Sequence, residues 1–525
     1  MTSTARRLQT AGSTTADSGY TQELHRGVGS FSSFAAGFSF VSILTTVFQL
    51  FALGFGLGGA AFFWTWPVVF AGQLLVALNF AQLAARWPIA GAIFQWSSRL
   101  AGTVLGWLTG WTMVIGQVIT VAVAAIAVQV VLPAIWDGFQ IVGGPAADPS
   151  VTSPTGAANA IVLGLIMLVV TTTVNILSVR LMARITSFGV VVEIVGAAVL
   201  IVLLFLLPQR GPAVLFSSVG RVGTEPYVFA WLASSLMAAY VLVGFDSAGE
   251  LAEETHNPRR TTPRTILRAL LFSGLGGALL IVAAILAAPS LTDGNLSSYG
   301  LSYVITAVLG DTVGRLILCA VAVAVFACTL AVQTAGARMM YSMSRERAFP
   351  FHRFVGRVSP RTGTPVVASL VVGVGAAAAL LVNLGQPAVF TALSSICIAM
   401  LYIAYLGVTA PLLVTRIRRR RTGGLPGGVD EDGKRLFTLG RWGIPLNVIA
   451  VAFQVGMIVN LMWPRPEIYD LSGKNILLQW SALITIGLTL AIGGGYLWLR
   501  HRSHGPIVLP HLPVTAETPI IAVAD

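Results

Sequence analysis

Three carboxylates stand inside apolar sequence, where an ionised group is costly. Glu193 lies in the middle of FGVVVEIVGAAVLIV, and Asp246 and Glu250 lie within YVFAWLASSLMAAYVLVGFDSAGELAEET. A charge at the centre of a bilayer costs on the order of 3 kcal/mol or more, so such residues are functional candidates by default. Burial disfavours the charged form of a carboxylate, which makes Glu193 and Asp246 candidates for taking up and releasing a proton. The plain alternative for Glu193 is a packing residue, neutral or paired with an arginine. Hydroxyls accompany them: SFSSFAAGFSFVSILTTVFQLF carries Ser39, Ser42, Thr45 and Thr46 among aromatic and β-branched residues. Serine and threonine in apolar helices usually bond back to their own turn, so these hydroxyls need positional support. Other chemistries find no residues. None of the six histidines lies in an apolar run, and HExxH and GxSxG are absent. No carboxylate cluster has metal spacing, and Lys434 and Lys474 lie outside any GxxxxGK[ST] frame. No metal, cofactor or ATP drive is therefore expected, and an intramembrane hydrolase has no evident nucleophile.

The elements that must hold these residues are membrane helices. Of 525 residues, 55% are hydrophobic and 10% charged, with a mean hydropathy of +0.82, which excludes a water-soluble enzyme. A spanning helix needs about 20 apolar residues. Apolar runs fall at 31–54, 61–83, 103–133, 158–178, 185–207, 227–249, 267–288, 313–337, 365–383, 389–414, 443–463 and 476–499, which predicts twelve spans in one polytopic domain. The net charge of +12 is distributed by loop. If the N-terminus is inside, cytoplasmic segments hold 27 of the 32 Arg and Lys residues and outer segments hold 5. Both termini are thus expected to be cytoplasmic in a multi-pass protein of the cell membrane. Arg418 to Arg421 reads as a topology anchor near anionic headgroups, and no nucleic-acid partner is expected. Arg6-Arg7 is followed by no apolar segment, so no cleaved signal is expected. Residues 1 to about 27, 422–434 and the tail after Arg502 lack periodicity.

Span six is too long for a simple helix. Tyr227 to Thr255 is 29 residues, about 43 Å at 1.5 Å per residue. Gly244 and Gly249 flank Phe245-Asp246-Ser247, so an interruption near Val243 to Ser247 fits the length, with exposed backbone lining a cavity. The alternative is a long tilted helix in which Asp246, Glu250, Glu253 and Glu254 share one face and reach toward Arg259, Arg260 and Arg264. Polar weak points in spans one and six, five spans apart, are what an inverted repeat gives when each half opens with a broken helix. Half-helix N-terminal ends suit a carboxylate and free carbonyls suit an ammonium, so the expected solute is a small zwitterion or amine.

Three stretches carry a family resemblance: PIAGAIFQWSSRLAG (88–102), GFDSAGELAEETHNPRRTTPRTI (244–266) and QTAGARMMYSMSRERAFP (333–350). Their order and spacing, over roughly residues 30 to 415, resemble an amino acid/polyamine/organocation superfamily permease, nearest its amino acid/choline branch. The resemblance implies an all-α integral membrane fold of 12 transmembrane helices: a 5+5 inverted repeat, with helices 1 and 6 broken, plus two additional helices. Repeat one would cover about 30–207, repeat two about 227–414 and the additional helices about 443–499, within a transporter domain of 30–500 between cytoplasmic tails at 1–29 and 501–525. It places substrate-contacting backbone at Ser42, Ile43, Leu44, Thr45 and Thr46, where Leu44-Thr45-Thr46 replaces the family's glycine-rich pattern. It places an aromatic lid at Tyr240 or Phe245, the second break at Val243, Gly244 and Phe245, and lateral contacts at Gln117 and Gln333.

The expected function is secondary active transport of a small amino acid or related zwitterion by alternating access, with proton coupling through Asp246 or Glu193. A choline-like or polyamine permease, or an amino acid exchanger, is the alternative; a cationic substrate is expected to show more carboxylates or an aromatic cage. Sodium coupling is disfavoured because Thr329 and Thr334 in span eight are not adjacent. A sensing receptor on the same scaffold would bind without net uptake. Cys319, Cys328 and Cys397 read as small buried hydrophobes. Gly54 to Gly59 matches GxGxxG without a βαβ setting and reads as helix-packing glycine. Oligomeric state has no sequence signature.

Overall fold

Backbone amides in hydrocarbon have no water to bond, so long apolar runs satisfy themselves as helices. The computed structural model describes residues 29–223, 225–382, 389–419, 428–429, 433–470 and 475–507. Among the described residues, ten helical segments are long and apolar enough to cross a membrane: Ser30–Gly58, Ala60–Arg86, Thr103–Ile135, Pro154–Leu177, Val179–Leu206, Pro258–Ala287, Leu301–Arg345, Phe390–Arg418, Gly440–Met462 and Ser481–His504. Two shorter apolar helices, Tyr227–Val241 and Val366–Leu381, stand at the sixth and ninth places in this order. These twelve are numbered below as spans one to twelve, and they coincide with the twelve apolar runs. Among the described residues, extended pairing is confined to one isolated bridge between Val429 and Arg435. The all-α membrane class is thus observed.

Two spans are interrupted. Span one divides into Ser30–Val41 and Ile43–Gly58 at Ser42, and span six stops at Val241 and resumes as a single turn, Ser247–Glu250. Spans one, three and ten are among the most deeply buried, whereas eleven and twelve are the least. Span one and the break of span six, Ala238 to Glu250, are buried, so the interruptions sit in the protein interior, where irregular backbone is tolerated. A short helix, Ala92–Ala101, lies between spans two and three.

Some boundaries differ from expectation. The range Leu301–Arg345 of span eight joins two helices across a kink at Gly310 (φ 73°, ψ 171°): a short segment before it, and the spanning helix after it, which continues past the apolar run to Arg345. Cys328 and Cys397 are buried as expected, but Cys319 is exposed on the outer face of span eight, which corrects the uniform reading of the cysteines. The GxGxxG segment closes the second half of span one: Gly54 faces Phe62 and Met237, Gly58 faces Phe62 and Ser234, and Gly59 ends the helix at φ 63°. Residues 1–28, 420–427, 430–432 and 508–525 lie outside the described residues, and with them most of both expected tails, most of 422–434, and Arg420 and Arg421 of the anchor.

Candidate functional site

The break in span one is made by a serine. Ser42 adopts φ 33°, ψ 87°, a left-handed conformation that L-residues enter rarely, and it ends one half-helix while capping the next. Such a cap leaves amides at the start of the second half in need of acceptors. Glu193 of span five supplies one: Leu44 N–H donates to its Oε1 at 3.2 Å, the amide of Ile43 also faces the carboxylate, and Ser42 Oγ lies 3.0 Å from the same Oε1. Thr45 N–H donates to Ser42 Oγ at 3.4 Å. Thr46 N–H donates to the Ser42 carbonyl at 2.9 Å, while Thr46 Oγ1 donates to the same carbonyl at 2.7 Å. Glu193 is fully buried, and its Oε2 has no hydrogen-bond partner. Its described partners are thus span-one groups rather than an arginine. Cys328 of span eight closes the other side, donating to the Phe40 carbonyl at 3.7 Å.

Span six is interrupted rather than tilted. Leu242 and Val243 leave the helix, and Gly244 takes φ 90°, which only glycine adopts without strain. A Cβ at Gly244 would overlap the Phe40 ring, so the two interruptions pack directly on each other. Tyr405 of span ten fixes the geometry: Gly244 N–H donates to Tyr405 Oη at 3.0 Å, and Tyr405 Oη donates to Asp246 Oδ1. Asp246 Oδ2 is buried without a partner. Phe245 packs on Tyr405 and Phe80 with ring centroids at 5.5 and 6.0 Å. Tyr240, one turn earlier, is buried beside Cys328 and Cys397. Of the two residues expected at an aromatic lid, Tyr240 therefore adjoins the span-eight thiol that bonds span one, and Phe245 belongs to the Tyr405–Phe80 cluster.

The acidic run after the break is placed differently from expectation. The tilted-helix alternative has Glu253 and Glu254 reaching toward Arg259, Arg260 and Arg264. Instead both are buried and paired with span eight: Glu254 with Arg338 at 3.0 Å, and Glu253 with Arg345 through contacts of 2.9 and 2.8 Å. The cause is backbone: Thr255 is extended and Asn257 has φ 48°, so the chain turns before span seven starts at Pro258. Glu253 Oε1 also accepts from Ala90 N–H at 3.1 Å, and Glu250 faces the amides of Gly91 to Ile93 at the start of helix Ala92–Ala101. Ser342 Oγ donates to the Ala90 carbonyl at 2.7 Å, and Gln95 Nε2 donates to Ser342 Oγ at 3.2 Å and to Glu346 Oε1 at 3.3 Å. The three stretches that carry the family resemblance thus meet in one polar layer beneath the breaks.

Gln117 and Gln333 lie apart from that layer. Gln333 Nε2 donates to Thr172 Oγ1 at 2.6 Å, and Gln117, whose amide atoms have no hydrogen-bond partner, faces Gly336 of span eight. Sequence reasoning missed Tyr405, Phe40 and Cys328. Tyr405 had a faint signal, a phenol one turn after Tyr402 in an otherwise apolar run; Phe40 and Cys328 had none, because their roles depend on what packs against them. Among the described residues, no group of three His, Cys, Asp or Glu side chains could hold a metal ion.

Two interrupted helices packed together, each with a buried carboxylate beside its break, form a small polar centre inside an apolar bundle. Comparison with known proteins agrees with that architecture. The profile of the amino acid permease family matches residues 28–489. The chain is 28% identical to amino-acid permease BAT1 of Arabidopsis thaliana over 518 residues, covering 93% of this chain and 95% of the relative. It is 27% identical to the BAT1 homolog of Oryza sativa subsp. japonica, covering 93% and 94% respectively. It is also 24% identical to a putative polyamine transporter of Candida albicans, over 90% of this chain and 84% of that protein. The chain belongs to the amino acid permease family.

Proposed function

We propose that this permease is a secondary active transporter that moves a small amino acid or related amine across the cell membrane by alternating access. The observation that carries the reading is the contact between the two breaks, Gly244 against Phe40, with Glu193 and Asp246 on either side. Half-helices that end in the protein interior present backbone and carboxylate groups to a solute without exposing them to lipid. The family and the relatives' printed names, amino-acid permeases and a polyamine transporter, support the same solute class. In this reading spans one to five and six to ten are the two inverted repeats, spans eleven and twelve are peripheral, and both termini are cytoplasmic. Proton coupling rests on Asp246 or Glu193, each a buried carboxylate with one oxygen unpaired.

The test is net uptake into sealed proteoliposomes from a panel of amino acids and amines, with and without an imposed pH gradient. Concentrative uptake that requires the gradient supports the reading. Binding without net uptake identifies a receptor and overturns it, and uptake indifferent to the gradient removes proton coupling while leaving transport.

A further inference from the structure

The polar groups at the two breaks are not evenly satisfied. On the donor side, Leu44 N–H is taken by Glu193 Oε1, Thr45 N–H by Ser42 Oγ, Thr46 N–H by the Ser42 carbonyl and Gly244 N–H by Tyr405 Oη. The positive end of the second half-helix of span one, the natural seat for a solute's carboxylate, already holds a carboxylate that belongs to the protein. On the acceptor side, Glu193 Oε2 and Asp246 Oδ2 are buried and unpaired. A buried acceptor without a partner is unfavourable, and an N–H donor supplied by a ligand removes that cost. What the break in span one needs from a solute is therefore donors and positive charge.

We propose that Glu193 is a specificity-determining residue: by occupying the span-one amides it disfavours an α-carboxylate and makes the site select organic amines, recognised through their ammonium groups. The proposal deepens the transport reading above and rests on it. Glu193 acts in two ways at once. Its Oε1 fills the position that a solute carboxylate would take, and its Oε2 is left to accept from an ammonium. A second carboxylate brought beside it would meet like charge and no free amide on span one. An amine without that carboxylate meets the Glu193 and Asp246 oxygens, with the Tyr240 ring nearby.

Matched pairs that differ by one carboxylate test this directly. Ornithine against 1,4-diaminobutane, and alanine against ethylamine, are compared as labelled solutes in proteoliposomes containing the full chain at a single pH. The wild type is expected to take up the decarboxylated member of each pair preferentially, by about tenfold or more, the scale of one charge-assisted hydrogen bond. Glu193→Gln keeps the shape and an acceptor for Leu44 N–H but removes the charge, and Glu193→Ala uncovers the amides; both are expected to narrow or reverse the preference. A wild type that favours the carboxylated members overturns the proposal, without any variant having to fold. An unchanged preference in both variants that still transport also overturns it. If no member of either pair enters wild-type vesicles while the broader amino acid panel does, the selectivity proposal fails and transport stands. If nothing in the panel enters, the transport reading fails as well.

Discussion

Tyr405 serves two partners with one hydroxyl, accepting from the Gly244 amide and donating to Asp246. Removing the hydroxyl leaves an amide and a carboxylate oxygen unsatisfied in a buried site, at a cost of about 1–3 kcal/mol for each. Tyr405→Phe is therefore expected to reduce uptake by roughly ten- to a hundredfold through loss of the break geometry, with near-normal yield because the ring still packs on Phe80 and Phe245. Initial uptake rates normalised to reconstituted protein measure this; an unchanged rate would show that the hydroxyl is dispensable. Asp246→Asn is expected to abolish accumulation driven by a pH gradient while downhill exchange persists. If uphill uptake survives in that variant, the coupling carboxylate lies elsewhere, and Glu193 is the next to examine. The residues at these positions were unevenly legible in the sequence. Gly244 and Asp246 announced the second break, because glycine and a carboxylate in a run too long for one helix leave few options. Ser42 gave only a hydroxyl among several, and its partner Glu193 is 151 positions away, a separation that no local pattern bridges.

Between elements, the polar layer joins the end of span six and helix Ala92–Ala101 to the end of span eight, and its two ion pairs differ in burial. Arg338 and Glu254 are 1% and 0% exposed, against 12% and 7% for Arg345 and Glu253, so the first pair tolerates loss of a partner less well. Breaking a buried pair costs roughly 3–5 kcal/mol, whereas replacing both members with apolar residues of similar size is often close to neutral. Glu254→Gln is thus expected to lower the thermal unfolding midpoint in detergent clearly, and Glu254→Leu combined with Arg338→Met to restore much of it. If the double variant is no more stable than the single one, the pair is not the source of the loss. The tilted-helix alternative paired Glu253 and Glu254 with the nearest arginines. Nearness along the chain misled because the turn at Asn257 carries span seven away, and the true partners lie 84 and 92 positions further on.

At the scale of the molecule, the order of the apolar helices was readable because crossing a bilayer demands a long apolar run for each. Side-chain facing was not, because a span that is apolar on all sides gives no sign of which face meets protein and which meets lipid. The cysteines illustrate this: all three lie in apolar runs, yet only Cys319 faces outward. A membrane-permeant maleimide applied to the folded protein in detergent is expected to label Cys319 alone, and Cys319→Ser to remove nearly all labelling; prompt reaction at Cys328 or Cys397 would mean that the core opens more readily than its packing implies.

Span five meets its neighbours through small residues on the face that also carries Glu193. A Cβ at Gly189 would run into Ala327 and one at Gly196 would press on Ala320 and touch Leu44, so the backbone of span five lies close against span eight on both sides of the carboxylate and reaches span one at Gly196. Further along the same seam larger side chains interlock, Val179, Met182 and Ile185 against Phe326 and Leu330, so span five has almost no slack against span eight. Whatever displacement releases Glu193 from Leu44 therefore has to carry span eight with it, and a leucine at Gly189, driven into Ala327, would wedge the two helices apart.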